Sequence, residues 1–254
     1  MAGFYDLIGW PDRPPSGPWN AYTDTIAPRF LATTLLAALD RRRREGRGAY
    51  IDLAQMEASL HLLAPELLDH QASGRAYGRS GNRASDAAPQ GIYRCAGDDR
   101  WCAIAVESDV HWTKLRDALG DPAWARDPAL ATVEGRLQRH DEIDRELTAW
   151  TSARSDREVE DVVSGAGVPA GRVQRSRDLL QDPQLQHRGF HRVHTHGEMG
   201  AVPYSGHAYR VHGYDHGPRG PAPLLGEHSF EILTQTLELG EEAAASLIAS
   251  GAVG

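Results

Sequence analysis

Asp24 is the residue whose type and position most directly suggest chemistry. It closes Ala21-Tyr22-Thr23-Asp24, just ahead of a helical pattern that runs from about Thr25 to Arg43. A carboxylate at a helix start has two readings. As a cap, it accepts hydrogen bonds from the first free backbone N–H groups. As a reactive group, it is held in one orientation by the same geometry and kept ionised by the helix dipole, which suits a nucleophile. Pattern alone leaves both open.

Other groups invite the same weighing. Four histidines, His187, His191, His194 and His196, are clustered, and His194 and His196 share a face if their segment is a strand. A metal site needs three or four converging ligands, so a polar strand face is the simpler expectation and no metal is assigned. Cys95 and Cys102 flank a turn and would sit nearly opposite each other on paired strands. They read as small core residues rather than a disulfide or a zinc site. The run Arg41 to Arg44 reads as the basic end of a helix, where cations meet the negative end of the dipole.

The elements that must position these groups follow from spacing. Phe30, Leu31, Thr34, Leu35, Ala38 and Leu39 fall three and four apart, and Gly46 and Gly48 stop the helix they define. Tyr50 to Leu53 alternates like a short strand. Gln55 to His70 reads as a second helix with Met56, Leu60, Leu63, Leu67 and Leu68 inward. Gly74 to Gln90 is a loop rich in Gly, Arg, Ser, Asn and Asp. Gly91–Cys95 and Trp101–Val106 form a hairpin on a four-residue turn. Helices are expected near 109–119, 138–152 and 155–165, a strand at Val168–Val173, and a short helix at Ser176–Gln181. Two or three strands are expected around Gly200, within Phe190–Val211. Helices near 228–238 and 240–250 follow the linker Pro218–Pro223. Trp112, Trp124 and Trp150 lie on helical stretches and read as core.

Bulk properties narrow the function classes. The chain has 254 residues and a formal net charge of −8, which argues against a nucleic-acid footprint. It has no run of 18 or more apolar residues, which argues against a transmembrane helix and a membrane role. Met1–Asp6 has neither a basic nor an apolar leader region, so a cytoplasmic location is expected.

Several short motifs occur together in a specific order. They are Leu36-Ala37-Ala38-Leu39, Arg44-Glu45-Gly46-Arg47-Gly48 and Ile51-Asp52-Leu53, then Gly81-Asn82 and Pro89 before a strand. Gly97-Asp98-Asp99-Arg100-Trp101, Gly167-Val168-Pro169-Ala170-Gly171, Asp182-Pro183-Gln184 and Gly226-Glu227-His228 complete the series. This series resembles the family III CoA-transferases, the CaiB/BaiF family that includes formyl-CoA transferase and the α-methylacyl-CoA racemases. The likeness covers nearly the whole chain and corresponds to the C-terminal two-thirds of a member.

The resemblance implies an α/β fold: a partial Rossmann-like layer from residues 1–75 and 205–254, with a linker and smaller α+β domain at 76–204. Complete members form an interlocked dimer. It implies CoA transfer from an acyl-CoA thioester to a free carboxylic acid through an aspartyl-CoA intermediate on Asp24. Coenzyme A would be a substrate rather than a permanent cofactor. Arg79 and Arg83, in the loop with Asn82 and glycines that let backbone approach a ligand, are candidates to meet a CoA phosphate or a substrate carboxylate. Glu107 approximates the position of the racemases' second acid, and it also reads as a helix-start acid beside Asp109. The racemases use a histidine upstream of the aspartate, and none precedes Asp24 here. The expected partners are another copy or a chain supplying the N-terminal half. A non-catalytic subunit or truncated remnant, and an acyl-CoA racemase or epimerase, are the alternatives. Without a covering chain, the helix at 30–43 should expose apolar surface.

Overall fold

The computed structural model describes residues 3–18, 20–215 and 217–253. The chain forms two compact units, Met1–Val173 and Gln174–Gly254, and its fold is the mixed α/β fold expected.

The first unit opens with a short helix, α1 (Phe4–Leu7), and the long helix α2 (Tyr22–Glu45). α2 starts earlier than spacing predicts, because Asn20 takes a left-handed turn and its Oδ1 accepts the Ala21 N–H at 2.8 Å. It ends as expected. Gly46 adopts φ 70°, which glycine tolerates without strain, and its N–H donates to the Arg42 carbonyl at 2.9 Å.

The next two expectations need correction. Tyr50–Leu53 is not a strand: no partner pairs with it among the described residues, and Tyr50 is 94% exposed. A lone extended segment leaves its backbone groups to water. The single helix expected over Gln55–His70 is α3 (Gln55–Leu60), a tight turn at His61–Leu63 and α4 (Ala64–Ser73). The break falls beside Pro65, whose missing N–H and ring disrupt the preceding turn. Its buried residues are Ala58, Ser59 and Leu63, whereas Met56, Leu67 and Leu68 are exposed.

The unit's core lies further on. The hairpin forms as predicted: β1 (Gln90–Arg94) pairs antiparallel with β2 (Trp101–Ala105). α5 (Asp109–Ala118), α6 (Val133–Gln138), α7 (His140–Ser152) and α8 (Asp156–Gly165) follow, and β3 (Ala170–Arg172) adds to β2. β2 alternates as a half-buried strand should: Cys102 and Ile104 point into a core with Tyr93, Trp112, Leu115, Ile143, Leu147 and Val159. Trp124 and Trp150 pack against that core. Register corrects the cysteine expectation: Cys102 lies opposite Tyr93, so Cys95 is its diagonal neighbour, and both thiols are free.

The second unit contains α9 (Ser176–Leu179), α10 (Pro183–His187) and a hairpin of β4 (His191–His196) with β5 (Gly200–Ser205). It ends in α11 (Ser229–Glu231), which continues as a π turn at Ile232–Thr236, and α12 (Glu241–Ala249). No helix among the described residues is long and apolar enough to cross a membrane.

Candidate active site

Asp24 is inside α2, not at its cap. The cap position is Ala21, which offers no side-chain acceptor, and Asp24 is in the first helical turn. Its amide is therefore among the N–H groups with no partner within the helix. Pro28, four residues on, has no N–H to donate to the Asp24 carbonyl. The backbone around Asp24 is thus bonded less than in any interior turn. The carboxylate is exposed, and Oδ1 accepts a 2.6 Å hydrogen bond from Nε2 of Gln55.

Gln55 was not singled out from sequence. It is the first residue of α3, which packs against α2. Phe30 of α2 stacks on His61 with ring centroids 5.3 Å apart, fixing the two segments. The only sequence signal was its place just after Ile51-Asp52-Leu53, since the pairing spans 31 residues. Oδ1 is thus engaged by Gln55, and the bond ties the start of α2 to the start of α3.

The candidate loop arginines differ from each other. Arg79 is turned toward the N-terminal segment. Its Nε donates to the Trp10 carbonyl at 3.4 Å, and Nη1 lies 3.9 Å from Asp6. Tyr22, two residues before Asp24, meets the same segment through an edge contact with Phe4 at 5.2 Å. Arg83 is held by two carboxylates of α7, Asp141 and, at 2.9 Å, Asp144. This guanidinium keeps the Asp141 carboxyl below its ordinary pKa.

Glu107 is exposed on the rim of a trough of about 630 Å³ over the sheet face opposite the core. Gly91, Ala103, Ala105 and Gly171 supply little side chain to fill it, and Gly81–Arg83 form part of its lining. Glu107 shares no hydrogen bond or ion pair with Asp24. Beneath the trough, His140 Nε2 accepts the Gln90 N–H at 3.2 Å, and the Tyr93 hydroxyl donates to Asp144 at 2.8 Å. Burial pushes the His140 pKa down, so the ring is neutral, as an accepting nitrogen requires. Burial raises the Cys102 thiol to about 12, which removes it as a nucleophile.

The clustered histidines do not converge. His196 is buried, and its Nδ1 accepts the N–H groups of Glu198 and Met199 in the hairpin turn, each at 3.2 Å. His194 Nε2 lies 3.1 Å from the Pro218 carbonyl. Among the described residues, no three His, Cys, Asp or Glu side chains come together as a metal site would need.

Comparison with known proteins gives a consistent result. The sequence profile of CoA-transferase family III matches residues 1–229. Succinyl-CoA–D-citramalate CoA-transferase of Chloroflexus aurantiacus is 32% identical over 248 residues, 97% of this chain and 61% of that protein. Succinyl-CoA:mesaconate CoA-transferase of Haloarcula hispanica is 27% identical, over 92% of this chain and 58% of its own. A crystal structure of a CaiB/BaiF family protein from Brucella suis superposes with a TM-score of 0.80 at 28% identity, covering 92% of this chain and 60% of that one. The chain thus spans about 60% of the length of these proteins.

Proposed function

This chain belongs to CoA-transferase family III, and from that membership we propose that it moves coenzyme A from an acyl-CoA thioester to a free carboxylate, with Asp24 as nucleophile. The observation that carries the proposal is the Asp24–Gln55 pair at the start of α2: an exposed carboxylate with one oxygen held and the other available.

The chemistry balances without a metal or redox partner. Oδ2 attacks the thioester carbonyl, the C–S bond breaks, and CoA leaves as thiolate. The acyl-aspartyl anhydride is then attacked by that thiolate at the aspartyl carbonyl, which releases the donor acid and leaves aspartyl-CoA. The acceptor carboxylate repeats the two steps in reverse order and departs as its own CoA thioester. Gln55 keeps a donor on the Asp24 carbonyl oxygen, where charge develops when the aspartyl group is attacked. The relatives from Chloroflexus and Haloarcula are named for succinyl-CoA as donor, which makes it the first donor to test.

Arg79 is the better placed of the two loop arginines to receive a CoA phosphate or substrate carboxylate, because Arg83 already has two carboxylate partners. The exposed Leu31, Leu35 and Leu36 on α2 support a covering chain, another copy or one that completes the CoA site. Residues 1–75 and 205–254 would then belong to one Rossmann-like domain.

Intact-protein mass spectrometry after mixing with succinyl-CoA tests the proposal. The wild type should gain the mass of CoA less one water, and Asp24→Ala should not. An adduct of equal yield on Asp24→Ala would overturn Asp24 as nucleophile. Solvent deuterium entering the α-carbon of a 2-methylacyl-CoA, with no transfer, would instead favour a racemase.

A further inference from the structure

The second unit holds a cavity of about 450 Å³ lined by Arg188, Phe190, His191, Arg192, His207 and Arg210. None of these residues has a part in the transfer chemistry above. The cavity is built by a close approach: the Gly206 N–H donates to the Phe190 carbonyl at 2.7 Å, and a Cβ on Gly206 would lie 2.7 Å from that same oxygen. Glycine is the residue that lets the end of β5 close down beside the start of β4.

Its charge is unbalanced. Arg192 is matched by Asp215. Arg188 and Arg210 have no acidic partner among the described residues. Each makes only a long bond to a backbone carbonyl, Arg188 to Ala208 at 3.3 Å and Arg210 to His187 at 3.4 Å. Three arginines thus line the cavity, and among the described residues one of them has a carboxylate partner. His207 stacks flat on Tyr209, with centroids 5.0 Å apart and planes 2° apart, which orients its ring.

The second observation concerns His191. Both of its ring nitrogens are shielded from solvent, and neither has a hydrogen-bond partner. An imidazole always carries at least one N–H, so a buried donor stands unmet, which native structures avoid unless a ligand or water answers it.

We propose that this cavity is a binding site for a phosphate monoester dianion. A single carboxylate would neutralise one guanidinium and leave the other, and the His191 N–H, unmet. A phosphate carries about two charges and three acceptor oxygens, enough for two arginine forks and an imidazole. The volume falls in the range of small-molecule sites and exceeds what the anion alone requires, so the phosphate arrives on a small organic body. That body is either a free phosphorylated metabolite or the 3′-phosphate end of coenzyme A.

Calorimetric titration of the full chain at low salt tests this with inorganic phosphate, CoA and 3′-dephospho-CoA as probes. The variants are His191→Leu and the double variant R188Q/R210Q. Wild type should bind phosphate saturably, and both variants should lose at least about tenfold in affinity, with weakening in added salt. His191→Leu fills the site with an apolar group and should keep the native circular dichroism, so loss of binding would not be loss of fold. Sensitivity of CoA but not of dephospho-CoA to the variants would identify the CoA 3′-phosphate as the source. CoA binding left unchanged by both variants, while inorganic phosphate binding is lost, would identify a free ester. No saturable binding by wild type, or binding that both variants leave within twofold, would overturn the site. The same titrations on Asp24→Ala separate this outcome from failure of the transfer proposal, because phosphate binding here does not require Asp24.

Discussion

The helical segment that carries Asp24 and the sheet-and-helix segment that follows it are stabilised in different ways. α2 has 24 residues, yet only Ala27 is buried, and its leucines at 31, 35 and 36 face outward. From Tyr93 to Val168, by contrast, one continuous apolar cluster joins β1 and β2 to α5, α7 and α8. The first region carries the Asp24 carboxylate on a surface; the second holds itself together. The proposed nucleophile thus sits on a long helix that has almost no core of its own.

The largest effect that would sharpen this contrast is in the core. Leu147 is fully buried among the cluster, and Leu147→Ala should cost about 2–5 kcal/mol through lost burial and the cavity left behind. Denaturant unfolding followed by tryptophan fluorescence would measure it, since Trp112 and Trp150 report on that cluster. A cost below about 1 kcal/mol would erase the distinction between the two regions.

Next comes Gln55→Ala, which separates position from stability. It removes the donor to Asp24 while both side chains are exposed. Formation of the CoA adduct should slow by about tenfold, equivalent to roughly 1.4 kcal/mol, with an unchanged unfolding midpoint. Gln55→Glu, which places a like charge against the carboxylate, should be slower still. An adduct rate unaffected by either change would remove Gln55 from the site.

A smaller effect should appear with pH in the core region. Burial depresses the His140 pKa below its ordinary value near 6.5. The unfolded chain therefore takes up a proton that the folded chain refuses, and stability falls as pH drops from about 6.5 toward the folded-state value. His140→Gln keeps an acceptor for the Gln90 N–H but cannot titrate. Its unfolding midpoint should decline less between pH 7.5 and pH 5.5 than that of the wild type. The paired carboxylates Asp127, Asp141 and Glu142 are also depressed, but they act lower, near and below pH 4. Identical slopes for the two proteins would show that His140 is not the titrating group.

The same contrast explains what was legible in the sequence. The hairpin of β1 and β2 could be read because alternation, a turn and a core face coincide there. The helix stop at Gly46 could be read because capping is local. The depth of Asp24 in α2 could not: the apolar spacing begins only at Phe30, and the left-handed Asn20 that sets the true start carries no strong signal. The face of α4 was misread because periodicity shows which residues are apolar, not whether anything covers them. The family resemblance pointed to Asp24 without pointing to Gln55, whose hydrogen bond to it comes from a contact between two helices. The cavity beside His191 was hidden for the same reason, being assembled from the turn after α10, the start of β4 and the chain after β5.

The smallest effect in the chain alone is the one that tests the comparison most directly. Leu36 is 67% exposed on α2, so Leu36→Gln exchanges one good helix former for another on a solvated face. Unfolding of the isolated chain should change by no more than about 0.5 kcal/mol. If a second copy of this chain covers this face, the same substitution buries an unpaired amide in the contact and should weaken self-association several-fold, read by sedimentation of wild type and variant over a range of concentrations. The two measurements must diverge for the exposed stripe to be a contact between copies: a variant that is neutral in both would show that Leu31, Leu35 and Leu36 are not where one copy meets another.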